Sequence, residues 1–315
     1  MSILSRPYFY DEAKAFEHVE AVLWADGPVC HHCGSVAKPY ALKGVRSKPS
    51  KKNPEGIERH GLYKCRDCKG QFTVRMGTIF EESHIPLHKW LQAVHLMCSS
   101  KKGISAHQLH RTLEVTYKTA WFLAHRLRLA MQVTPSSPLG GNGKTVEVDE
   151  TFIGILEGQP KVKRGWAHKN VVLTLVERGG AARSFHVEST RRFDIESVIN
   201  TNASKESALM TDEANQYKKI GKEFASHDSV NHGKEEYVRG NAHTNTVEGF
   251  YSIFKRGMKG VYQHCSEKHL HRYLAEFDFR YSNRVALGVN DEARAGRALT
   301  GVVGKRLLYR DSLIM

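Results

Sequence analysis

The sequence predicts an α/β (α+β) chain in which a mixed-sheet domain follows a small metal ribbon and a helical segment, and three observations support this. Four cysteines fall in two Cys-x-x-Cys pairs between residues 30 and 68, apolar residues recur at helical spacing from Leu87 to Met131, and strand-like and helix-like stretches alternate from Thr145 onward. A length of 315 residues accommodates two or three domains. The boundaries expected are 1–83 for an N-terminal helix and ribbon, 84–134 for the helical segment and 144–315 for the mixed domain. Thr134 to Gly143, with Pro135, Pro138 and three glycines, is the expected linker.

Tyr10 to Trp24 carries Ala13, Phe16, Val19, Ala21, Leu23 and Trp24 as the apolar positions of a short amphipathic helix. Cys30-x-x-Cys33 and Cys65-x-x-Cys68 follow, with thirty-one residues between the pairs. Two such knuckles place four thiolates tetrahedrally around one zinc ion. Gly34 and Gly70 supply flexible backbone that lets amide donors turn toward sulfur. The competing reading is a pair of disulfides. No secretory pattern opens the sequence and no apolar run nears eighteen residues, so a reducing cytoplasm, no membrane and one structural zinc are expected. His31 and His32 become bystanders once four sulfurs close the shell, and Cys98 and Cys265 have no partner motif. Lys43 to Pro54 is a basic loop or hairpin tip, and Tyr63 to Val74 reads as strand, knuckle, strand.

In the helical segment, Trp90, Leu91, Val94, Leu96 and Met97 mark one helix and Ser105 through Leu113 a second. After a break at Glu114 to Thr116, Tyr117, Ala120, Trp121, Ala124 and Leu127 mark a third. Two short helices joined by a tight turn form a helix-turn-helix, whose second helix enters a major groove. Lys118, Arg126 and Arg128 are its expected cationic contacts; an ordinary helical connector with solvated basic residues is the alternative.

From Thr145 the expected order is a strand to Ile153, strands at Asn170 to Glu177 and Ala182 to Glu188 in an antiparallel meander, and a helix through Asp194 to Ile199. A strand ending at Asp212, a short helix near Tyr217, a strand near Ser226 to His232, a helix around Glu248 and a long helix from about Ser266 to Arg284 follow. Three strands, helix, strand, helix, strand, helix is the ribonuclease H-like order.

Three acids stand out in this frame. Asp149 and Asp212 fall at strand ends, and Glu248 follows Asp212 with thirty-five residues between them. Val247, Phe250, Tyr251 and Phe254 give the third segment helical spacing, so Glu248, Ser252 and Lys255 share one face. Three converging carboxylates supply the hard oxygen ligands that two magnesium ions need to clamp an in-line displacement at phosphorus. Glu147, Glu150 and Glu213 flank the aspartates, but strand alternation keeps neighbouring acids from sharing one metal pair, which makes them supporting or surface groups. Asn245 or Thr246 is expected to cap the Glu248 helix.

With 47 basic and 33 acidic residues the net charge is +14, and a polyanion is the expected partner. Composition does not distinguish DNA from RNA or an anionic membrane, though no basic amphipathic helix or lipidation motif supports a membrane role. Beyond the helical segment, Lys163, Arg164, Arg256 and Lys259 are further candidate contacts.

Taken together, Asp26-Gly27-Pro28-Val29-Cys30, Ser100-Lys101-Lys102-Gly103-Ile104-Ser105, Tyr117-Lys118-Thr119-Ala120-Trp121, Val148-Asp149-Glu150-Thr151 and His243-Thr244-Asn245-Thr246-Val247-Glu248 give the chain a family likeness. It resembles the ISXO-like zinc-ribbon DDE transposases of bacterial insertion sequences. The resemblance implies a ribonuclease H-like core, with two Mg2+ (or Mn2+) ions held by Asp149, Asp212 and Glu248, and Lys255 as the accompanying lysine. It also implies double-stranded DNA partners (transposon ends and target) and a homodimer or higher oligomer acting on them in the bacterial cytoplasm. A DNA-binding regulator with an inactive core and a metal-dependent nuclease are the alternatives.

Overall fold

The computed structural model describes residues 2–51, 53–160, 162 and 165–308, so the expected contacts Lys163 and Arg164 lie outside the described residues. The chain divides into two compact units. One comprises Met1–Ser99, Ala106–Ala130 and Asp291–Met315, and the other Ser100–Ser105 and Met131–Asn290.

In the first unit, α1 (Glu12–Leu23) is capped by the Asp11 carboxylate, which accepts the Lys14 amide at 3.0 Å. The ribbon is a three-stranded antiparallel sheet of β1 (Tyr40–Ala41), β2 (Tyr63–Lys64) and β3 (Gln71–Phe72), with the second knuckle joining β2 to β3. Three helices follow: α2 (Leu87–Ser99), α3 (Ala106–Leu113) and α4 (Tyr117–Met131). Trp90, Leu109, Leu113, Leu123 and Leu127 are all buried, which is where the helical periodicity directed them. The turn between α3 and α4 passes through Glu114 at φ 51°, a left-handed position usually given to glycine, and the Thr116 hydroxyl accepts the Thr119 amide to start α4.

A further helix, α9 (Asp291–Thr300), belongs to this first unit, where the Arg294 guanidinium donates to the Cys98 carbonyl at 2.8 Å. It has no clear signature in the sequence, because small alanines and charged residues leave little apolar periodicity. The stretch was expected inside 144–315.

The second unit is built on a mixed sheet. Its strands are β4 (Thr145–Ile153), β5 (Asn170–Glu177), β6 (Ala182–Val187), β7 (Ala208–Asp212) and β8 (Ser226–Val230), in the order β6-β5-β4-β7-β8. β6, β5 and β4 form the expected antiparallel meander, whereas β4, β7 and β8 run parallel. One face buries Val146, Val148, Leu173 and Leu175 against Ile195 and Ile199 of α5 (Arg192–Asn202) and Tyr217 of α6 (Tyr217–Ile220). The other buries Val172 and Val176 against Val247, Phe250 and Phe254 of α7 (Asn245–Gly257) and Phe277 of α8 (Leu270–Ser282). A strand covered on both faces reads as a nearly continuous apolar run, and Val171 to Val176 of β5 is one. The order of elements is the ribonuclease H-like one. The last helix is shorter than expected, because Glu267–His269 forms a separate 3-10 turn before it.

Candidate active site

β4 and β7 bring the two aspartates together. Glu147 pairs with Met210 in parallel register, and two residues further along each strand come Asp149 and Asp212, on one face of adjacent strands. Asp212 ends β7 as expected, whereas Asp149 lies in the middle of β4, which runs on to Ile153. That face is the one covered by α7. The hydroxyl of Tyr251 on α7 donates to the Asp149 carbonyl. The helix carrying Glu248 is therefore pinned to the strand carrying Asp149.

The electrostatics show the acids acting on one another. Burial, followed by repulsion from Glu150, Asp212 and Glu248, pushes the Asp149 carboxyl up to about 8, against one amide hydrogen bond from Glu150. Burial also raises Asp212, although its Oδ1 accepts the Ala214 amide at 3.0 Å. Glu248 is the exposed member, and its Oε1 accepts the Thr244 hydroxyl at 2.9 Å. A half-buried cluster of like charges fits a cation-binding role, because a divalent ion would relieve the repulsion that burial intensifies. Among the described residues only the cysteine sulfurs gather three or more ligand groups within 4.8 Å. The three acids are thus spread wider than a cage around a single ion. Lys255, seven residues beyond Glu248 on the same helix, is lowered by burial and supported by the Asp149 charge.

Glu147, expected as a supporting or surface group, and His232, marked by the sequence only as the end of a strand, both hold structural contacts. Glu147 is fully buried, and its carboxylate accepts the amides of Thr246 and Val247 at 2.8 and 3.0 Å and pairs with Arg178 at 2.6 Å. The expected cap from Asn245 or Thr246 is therefore corrected: Thr244 is the N-cap residue and makes no side-chain cap bond, so a strand carboxylate takes over the free amides. His232, two residues past the Val230 that pairs with Asp212, holds its Nε2 3.7 Å from Glu248 Oε1 and 3.4 Å from Thr244 Oγ1. The expected strand runs to His232 and β8 ends at Val230, but alternation along that expected strand already puts His232 on the same side as Val230. Glu150 points to the opposite face, toward the Tyr217 hydroxyl and the Gln216 amide, and Glu213 accepts the amides of His232 and Gly233.

In the first unit, the sulfurs of Cys30, Cys33, Cys65 and Cys68 all lie within 4.8 Å of one another, with Cys30 to Cys68 and Cys33 to Cys65 both at 3.7 Å. A tetrahedron with zinc–sulfur bonds of about 2.3 Å has edges near 3.8 Å, so the four thiols fit one zinc ion, and none is in a disulfide. The His32 ring is bonded to the Gln71 carbonyl at 3.0 Å and stands outside this set.

The expected DNA contacts divide. Lys118, Arg256 and Lys259 are exposed. Arg126 and Arg128 are only 6% and 3% exposed, which corrects their expected role. Arg126 donates to the carbonyls of Ile79, Glu81 and Leu307, so its guanidinium holds three chain segments together instead of meeting a phosphate. Helical periodicity places a residue on a face but does not say which face a neighbouring segment covers.

No described helix is long and apolar enough to cross a membrane. Two family patterns match the chain: a transposase zinc-ribbon domain over residues 10–71 and an ISXO2-like transposase domain over residues 138–282. Among curated proteins it is similar to an uncharacterized protein in transposable element ISH50 of Halobacterium salinarum. The two are 26% identical over 294 residues, which covers 86% of this chain and 91% of the relative.

Proposed function

Since the chain belongs to the zinc-ribbon, ISXO2-like transposases, we propose that it binds the terminal repeats of an insertion sequence and catalyses magnesium-dependent cleavage and strand transfer of DNA. The observation that carries this reading is the side-by-side position of Asp149 and Asp212 on one face of two parallel strands, under the helix that bears Glu248.

Asp149, Asp212 and Glu248 would hold two magnesium (or manganese) ions, which when bound supply charge neutralisation at the attacking and leaving oxygens of a phosphodiester. Lys255 orients a phosphate, since it projects from the same helix face as Glu248 and its ammonium lies within the field of Asp149. Glu147 and Tyr251 keep α7 fixed against β4, so the third carboxylate cannot drift from the other two. Water is the first nucleophile and frees a 3′-hydroxyl at the element's end. That hydroxyl then forms a new bond to a target phosphorus, and the target's own 3′-oxygen leaves with the electron pair, so joining needs no ATP. Lys118, Arg256 and Lys259 contribute backbone contacts, and the ribbon and the α3–α4 pair recognise the ends of the element, with two or more copies acting on paired ends.

One assay tests this: purified protein, labelled terminal-repeat DNA, a supercoiled target and magnesium. Joined products are expected, and Asp149→Asn or Asp212→Asn should lower joining on the order of a thousand-fold while leaving end binding intact. Cut but never joined ends would identify a nuclease. Bound but unaltered DNA would identify a regulator.

A further inference from the structure

A cavity of about 560 Å³ in the second unit is lined by Lys255 and Lys259 but by none of the three carboxylates, and the mechanism above uses those two lysines without using the space between them. Its floor is apolar, from Ile153, Met258 and Leu270. Three ammonium groups line it, on Lys169, Lys255 and Lys259, and no carboxylate does among the described residues. Two further features give it a chemical shape. Trp166 is 59% exposed although it is the largest of side chains, and its indole stacks on Phe152 with ring centroids 5.2 Å apart and the Lys169 ammonium 4.5 Å from its centre. Asn170, 2% exposed, lines the same cavity with a side-chain oxygen that has no hydrogen-bond partner.

A buried acceptor left unpaired is costly, and its presence in a cavity wall calls for a ligand that donates a hydrogen bond there. A flat aromatic platform calls for a flat ring. Three cations with no opposing acid call for phosphate. We propose that this cavity receives one unpaired nucleotide of a DNA strand, with its base stacked on Trp166, a base N–H donated to the Asn170 oxygen, and its phosphate held by Lys255 and Lys259. The base must be unpaired, because in an intact duplex both its faces are covered by neighbours and its hydrogen-bonding edge is occupied. Stacking on an indole is a stronger contact than the exposed ammonium–ring pair it replaces, and the displaced Lys169 remains beside the incoming phosphate. A strand end, or a terminal pair opened at the site of cutting, supplies such a base.

This inference rests on DNA being the substrate, and binding measured without divalent ions separates the two ideas, since no cutting then occurs. The probes are a fully paired terminal-repeat duplex and the same duplex with one unpaired 2-aminopurine beside the terminal phosphate. The unpaired duplex should bind about ten- to one-hundred-fold more tightly, with the 2-aminopurine fluorescence quenched. Trp166→Ala should abolish both the preference and the quenching without altering affinity for the paired duplex, and Trp166→Phe should keep most of each. Asn170→Leu should reduce the preference with the quenching retained. Thermal melting of each variant confirms folding, and the phenylalanine variant decides the matter if the alanine variant does not fold. Equal binding of the two duplexes by the parent, or an equal loss for both on Trp166→Ala, overturns the nucleotide pocket while leaving the transposase reading standing. Binding of neither duplex overturns both.

Discussion

The Glu147 carboxylate, fully buried on β4, accepts the amides of Thr246 and Val247 at the start of α7 and is held in turn by Arg178. One side chain thus caps the helix of Glu248 from the strand of Asp149, two residues away. The first unit uses the same device: Glu12 of α1 accepts the Leu87 and His88 amides at the start of α2, at 2.7 and 3.1 Å. In both cases an anion meets the positive end of a helix dipole.

Glu147→Ala should destabilise the protein by about 3–5 kcal/mol, because it strips a helix cap and leaves the Arg178 guanidinium without its buried partner. Urea unfolding measures this. A loss under about 1 kcal/mol would show that the cap is dispensable.

Purified protein should carry one zinc per chain by elemental analysis, and Cys65→Ser should release it. The geometry of the site favours this, since all four sulfurs lie within 4.8 Å of one another, as ligands of one tetrahedral ion do. Loss of the metal should weaken terminal-repeat binding at least about tenfold against unrelated DNA, and leave the nonspecific, salt-sensitive attraction in place. Full specificity in a zinc-free protein would exclude a role for the ribbon in recognition.

Arg126 and Lys118 sit on the same helix and should behave oppositely. Arg126→Met removes a buried guanidinium from three carbonyls and should cost about 2–4 kcal/mol of stability, with no change in the salt dependence of DNA binding. Lys118→Ala should leave melting unchanged and reduce the slope of log affinity against log salt by about 0.9. Titrations at several salt concentrations, paired with melting curves, separate the two.

Asp278 on α8 provides a pH dependence. Burial holds its carboxyl up at about 7, even though the Ser184 amide and hydroxyl, at 2.7 and 2.6 Å, favour ionisation. A carboxyl raised in the folded state binds its proton more tightly there than in the unfolded chain. Its stabilising contribution is therefore complete below the ordinary carboxylate range and is lost as the pH rises to about 7. Asp278→Asn should gain roughly 1–2 kcal/mol relative to the parent at pH 8 and nothing at pH 4. An equal difference at both pH values would rule this group out.

Much of the architecture was legible because it rests on local periodicity. The Cys-x-x-Cys pairs declared the ribbon, β4 and β5 showed themselves as β-branched runs, and the stripe Val247, Phe250, Tyr251, Phe254 gave α7 its buried face. α9 escaped, since a helix made of alanines and charges has no stripe to read. Arg126 and Arg128 were misassigned for a related reason: a cation in a basic protein looks the same in sequence whether it faces solvent or a set of carbonyls.

The sequence by itself determined the residue types and the elements that carry them: an aspartate on each of two strands, a glutamate and a lysine on one helix face, and four thiols in two knuckles. Only the tertiary structure decided which acids meet. Asp149 and Asp212 adjoin because β4 and β7 pair in parallel at Glu147 and Met210, and His232, Glu147 and the Trp166–Asn170 cavity gained their places from the same folding. Spacing along a chain fixes which way a side chain points on its own element. Its neighbours depend on strand register and helix docking, and these are set by burial summed over the whole unit.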